Sequence, residues 1–284
     1  MRRARLKAAQ DAPAGYYHCL SRVVDRRFIL EEAEKEHFVA LMRECEAFCE
    51  VQVLTYCVMS NHFHILTEVP KRPEVLPTAE DVLSKLRKLT GHQNVGAVEQ
   101  QFEMYRRAKD AEGEAEYLRS FHDRMWDVSA FMKLLKQRFT QWYNGRTGRK
   151  GTLWEDRFKS VLVEGSGETL KAMAEYRVLL YHEGREARES VGEDGKKVRG
   201  ALKHEEVLQV LRAKGRLGLG SYLRCRVRYF CDGAVLGSRE FVEGVFRKNR
   251  RWFGERRKAG ARRMRELAGL ELFTVRDLRV NVFG

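Results

Sequence analysis

The chain has 284 residues, 43% of them apolar and 33% charged, and 54 Lys and Arg against 40 Asp and Glu give a formal charge of +14. That length carries one large domain or two modest ones, and the apolar share excludes a disordered chain. No run approaches the ~18 unbroken apolar residues of a membrane span, and Met1-Arg2-Arg3-Ala4-Arg5 leads into no apolar signal segment, so a cytoplasmic protein with no membrane contact is expected. Six cysteines (Cys19, Cys45, Cys49, Cys57, Cys225, Cys231) show neither zinc spacing nor a dense disulfide framework and read as reduced thiols. The charge is uneven, because residues 201–284 hold 20 Lys and Arg against 9 Asp and Glu. Clustered cations of this kind meet nucleic acid or simply stay solvated, and composition alone does not choose.

In chain order, residues 15–23 (Gly-Tyr-Tyr-His-Cys-Leu-Ser-Arg-Val) read as a first strand. Phe38, Leu41, Met42, Cys45 and Phe48 recur at helical spacing over 31–49. Val51 to Val58 and His62 to Val69 are β-rich runs joined by Met59-Ser60-Asn61, a hairpin signal. Three charged amphipathic helices are expected between 79 and 145, then a basic turn-rich loop over 144–151, a fourth strand from Arg157 to Glu164, and a helix capped by Ser166 that runs to about Glu183. The order β-α-β-β-α-β predicts an α+β fold with a ferredoxin-like antiparallel sheet and inserted helices over 14–184. A polar linker over 185–202 and a basic helical, DNA-binding tail over 203–284 follow, with short helices at 203–214, 218–230 and 238–252.

The sharpest chemical pattern is Asn61-His62-Phe63-His64. Residues two apart share a strand face, so His62 and His64 can hold one metal ion while Phe63 turns into the core. Two unrelated polar strand residues would give the same pattern.

The stretch Tyr56-Cys57-Val58-Met59-Ser60-Asn61-His62-Phe63-His64-Ile65-Leu66 resembles the His-hydrophobic-His hairpin of REP-associated tyrosine transposases, which are HUH single-strand DNA transposases of the insertion-sequence-200-like type. Gly15-Tyr16-Tyr17-His18 with Ser21-Arg22, and Gly151-Thr152-Leu153-Trp154-Glu155-Asp156-Arg157-Phe158-Lys159-Ser160, match further parts of that pattern. The resemblance spans about 14–176. It implies cutting and rejoining of single-stranded or hairpin DNA in DNA transposition, with Mg²⁺ or Mn²⁺ on His62 and His64 and a 5′-phosphotyrosine intermediate. The nucleophile position falls on Tyr176. The family asparagine four residues later is Leu180 here, so a relative that binds DNA hairpins without cutting is the alternative, with a metal-binding, RNA-binding protein as a third reading. Arg138, Arg146, Arg149, Lys150, Arg157 and Lys159 are the expected phosphate contacts, with Trp142 or Trp154 as a surface for an unstacked base, Trp154 being the one expected in the core. Oligomeric state is not legible.

Overall fold

A computed structural model describes residues 5–90, 95–170, 172, 230, 233–264 and 271–275. The chain divides into two compact units, Met1–Leu30 with Leu54–Thr67 and Glu155–Gly284, and Glu31–Val53 with Glu68–Trp154.

A seven-stranded sheet organises the first unit. Its strands are β1 (Ala14–Arg22), β2 (Gln52–Val58), β3 (His62–Pro70), β4 (Lys159–Val163), β5 (Val235–Gly237), β6 (Arg262–Arg263) and β7 (Phe273–Val275), in the spatial order β2-β3-β1-β4-β5-β7-β6. The outer ends of β2 and β3 count with the second unit. β1 lies between β3 and β4, and its residues Tyr17 to Ser21 are buried on both faces, as an inner strand requires. It pairs antiparallel with β4, Tyr16 opposite Val163 and Leu20 opposite Lys159. The order of the first four strands is the ferredoxin-like one, and the α+β class holds.

The sheet is mixed rather than wholly antiparallel, because β5 joins β4 in parallel before β7 and β6 add antiparallel edges. These three strands come from the stretch read as a helical tail. The helix expected over 238–252 is present as α6 (Arg239–Lys248) followed by a 3-10 turn at Arg250–Trp252. The tail helices expected over 203–214 and 218–230, and the linker, lie outside the described residues apart from Phe230. A joint between β4 and α6 fixes this extension. Glu164 accepts from the Ser238 backbone N–H at 2.6 Å and the Ser238 hydroxyl at 2.8 Å, while Ser238 Oγ caps the helix at the Phe241 N–H. Gly237 permits the close approach, since a Cβ there would stand 2.6 Å from the Cβ of Glu164.

The second unit is helical. α1 (Glu32–Cys49) packs on α2 (Ala79–Thr90) and α5 (Val128–Thr147), and α3 (Gly96–Ala108) packs on α4 (Ala111–His122). All five apolar residues that define the period of α1 are buried, and Phe38 meets Phe139 edge to face with ring centroids 5.3 Å apart. Among the described residues four helices, not three, occupy 79–147. The break between α3 and α4 falls at Lys109 in the left-handed region and at Asp110, whose side chain caps α4 at the Gly113 N–H, so neither glycine nor proline marks it. α5 also runs through the expected loop as far as Thr147 and stops at Gly148, whose φ of 66° suits a helix end.

Candidate functional site

The candidate site lies within the first unit, where the hairpin tip between β2 and β3 meets the chain leaving β1. Met59 N–H bonds the His62 carbonyl at 2.8 Å and closes the turn. Val23 N–H bonds the Asn61 carbonyl at 2.8 Å, and the N–H groups of Ile29 and Leu30 both reach the Ser60 carbonyl. These bonds fix the backbone from which His62 and His64 project.

The two imidazoles stand with ring centroids 5.2 Å apart, and Phe63 between them in sequence is fully buried on the other face. His62 is half-buried and His64 is 5% exposed. A third ring joins them. His18 on β1, 3% exposed, places Nε2 3.0 Å from Nδ1 of His64 and Nδ1 2.8 Å from the Phe230 carbonyl. The His18 and His64 rings lie within 17° of parallel with centroids 5.1 Å apart, a separation longer than the N···N distance by about two ring radii, so they meet edge to edge.

Hydrogen-bond accounting sets the tautomers. A carbonyl only accepts, so His18 carries its proton on Nδ1 and its Nε2 is an acceptor. His64 therefore donates from Nδ1 and holds its lone pair on Nε2. Asn61 does the same for His62: its Nδ2 donates to the Arg26 carbonyl at 3.0 Å, which turns Oδ1 toward His62 Nδ1 at 2.7 Å and leaves the lone pair of His62 on Nε2. Burial keeps all three rings neutral. It pushes His18 and His62 down to about 4, the latter helped by the charge of Arg22, and it holds His64 well below the ordinary imidazole value, with His18, His62 and Arg22 adding to the effect.

Neutral imidazoles with Nε2 lone pairs on one strand face are a donor set that suits a divalent first-row ion. His18 is not a third ligand, because its Nε2 accepts from His64 and its Nδ1 donates to Phe230. Among the described residues no group of three or more His, Cys, Asp or Glu is placed to hold a metal.

Residues 12–85 match the family model described as Transposase IS200 like. This segment is similar to IS200-like transposases. It spans β1, α1, the hairpin and the start of α2, and so contains His18, Asn61, His62 and His64. The solved structures similar to the chain include these two. One is a REP-associated tyrosine transposase bound to a REP hairpin, at 12% identity over 63% of this chain and 70% of that one, with a TM-score of 0.36. The other is a candidate transposase of Deinococcus radiodurans R1, at 13% identity over 64% of this chain and 98% of that one, with a TM-score of 0.27. No curated protein matches.

The other residues singled out in the sequence are placed as follows. Tyr176 lies outside the described residues, although the start of its expected helix is present at 167–170, with the Ser166 hydroxyl accepting from the Thr169 N–H. In the second unit, Arg138 pairs with Glu44 at 2.9 Å and is largely covered, and Arg146 lies 3.7 Å from Glu34. Arg149 reaches the Asn144 side chain at 3.5 Å, and Lys150 is exposed. Trp142 stacks on His37 at 3.9 Å between centroids, so its ring is already engaged. Arg157 and Lys159, in the first unit, are exposed. Sequence reasoning passed over His18, Asn61 and Arg22 as site residues. His18 and Arg22 sit four apart on β1 and so share one strand face, which was the available signal.

No described helix is long and apolar enough to cross a membrane, and the described cysteines, Cys19, Cys45, Cys49 and Cys57, are buried.

Proposed function

We propose that the chain cuts and rejoins single-stranded or hairpin DNA through a 5′-phosphotyrosine intermediate, as a transposase of the IS200-like type. The observation that carries this reading is the pair His62 and His64, held neutral with both lone pairs on Nε2 inside the matched segment.

His62 and His64 would hold a divalent ion, Mn²⁺ suiting imidazole better than Mg²⁺, and such an ion would polarise a phosphoryl oxygen and stabilise the charge that builds there. His62 and His64 bind and orient, and their burial excludes competing protons. The positive charge of Arg22, strong enough to lower both histidines, favours an approaching phosphate. Tyr176 is the proposed nucleophile. Its oxygen gives up the phenolic proton and forms a bond to phosphorus, the bond to the 3′-oxygen breaks, and that oxygen leaves as a protonated hydroxyl. Rejoining reverses these steps on a new 3′-hydroxyl.

The test is incubation of the purified chain with single-stranded hairpin DNA and Mn²⁺. A covalent protein–DNA adduct is expected, lost in Tyr176→Phe and in the His62→Ala, His64→Ala double variant. Leu180, at the family asparagine position, favours a second reading in which hairpin DNA is bound and left uncut. Binding in gel shift with no adduct from the wild-type chain selects it.

A further inference from the structure

We infer that His18 is a positioning residue for the metal-facing pair, one that fixes the tautomer and ring orientation of His64 from the neighbouring strand. The inference rests on the reading of His62 and His64 as the metal ligands. A histidine that binds metal through Nε2 must keep its other nitrogen protonated, and the partner accepting that proton sets how well the ring is aimed. Here the acceptor is another imidazole. His18 can accept only while its own proton stays on Nδ1, and the Phe230 carbonyl at 2.8 Å holds it there.

The chain of bonds therefore runs from the Phe230 carbonyl through His18 to His64, and each link dictates the next. Were the His18 proton to move to Nε2, it would face the His64 proton, and His64 would have to present Nδ1 as acceptor with Nε2 protonated and closed to a metal. Residue 230 thus controls, through two rings, whether the hairpin histidine is a ligand. Two strands supply the relay, since His18 stands on β1, opposite Val161 of β4, and His64 on β3.

Two measurements on the full chain test this. Nitrogen-15 shifts of the metal-free wild-type protein should show His64 and His18 both protonated at Nδ1; an Nε2-protonated His64 would overturn the inference with no substitution needed. Mn²⁺ affinity by calorimetry should fall about 10–100-fold in His18→Phe, which keeps the ring and removes the acceptor, and recover substantially in His18→Gln, whose amide oxygen can accept the same proton. Equal affinity in wild type and a folded His18→Phe overturns it. If His18→Phe does not fold, the His18→Gln variant and the wild-type tautomers decide. A wild-type chain that binds no Mn²⁺ removes the metal reading instead, an outcome distinct from a bound metal indifferent to His18.

Discussion

Asn61 and His62 are adjacent in sequence and also bonded side chain to side chain, with Oδ1 2.7 Å from Nδ1. Neighbours on a strand normally point to opposite faces, and the contact is possible because Asn61 belongs to the turn, where its Nδ2 is tied to the Arg26 carbonyl. Asn61→Ala should weaken Mn²⁺ binding by about 10-fold or more while Asn61→Asp, which keeps an acceptor, should not. Titration calorimetry on the two variants makes the comparison.

The carboxylate of Glu164 stabilises the C-terminal extension through the Ser238 N–H and hydroxyl. Glu164→Ala leaves the Ser238 amide without that partner and should cost about 1–3 kcal/mol. Because α6 and β5 adjoin this joint, amide exchange should accelerate first over 233–248, with β1 less affected. Uniform acceleration would show that the joint carries no local stability.

Burial pushes the thiols of Cys19, Cys45 and Cys49 up to about 12. Their folded pKa lies above the unfolded value of 9.0, so the unfolded chain releases protons first as pH rises. The stabilisation is complete below about pH 9 and is lost between 9 and 12, with a slope approaching about 1.4 kcal/mol per pH unit for each thiol. Urea unfolding from pH 8 to 10.5 should show this decline, and Cys45→Ala should make it shallower. The same three thiols should resist alkylation in the folded protein, read by peptide mapping.

Charge in the extension and charge on α5 should behave differently toward DNA. Arg247, Lys248, Arg256 and Lys258 are exposed, whereas Arg138 is committed to Glu44. Replacing those four by Gln should flatten the log–log salt dependence of DNA binding by about 0.7–0.9 for each phosphate that is no longer neutralised. Arg138→Gln should leave that slope alone and lower stability by about 1 kcal/mol. Deleting the whole tail is the poorer experiment, because it removes β5, β6 and β7 from the sheet.

Residues with a strong period were legible in the sequence. Phe38, Leu41, Met42, Cys45 and Phe48 announced α1, and the β-rich runs around Met59-Ser60-Asn61 announced the hairpin. Val235-Leu236-Gly237 was not legible, since three residues carry no period and become a strand only because β4 offers an edge. The same distinction runs through the site. The His62 and His64 pair is visible as a spacing, while His18 is 46 positions from His64 and meets it only when β1 and β3 are brought together.

The parallel pairing of β4 with β5 has a temporal side. β4 ends at Val163 and its parallel partner begins only at Val235, so on the ribosome the strand beside β1 is made well before β5. An uncovered strand edge is a template for pairing with other chains. During synthesis the nascent protein therefore passes through an interval in which β4 lacks its β5 partner, and that interval closes when the Val235-Leu236-Gly237 segment leaves the exit tunnel.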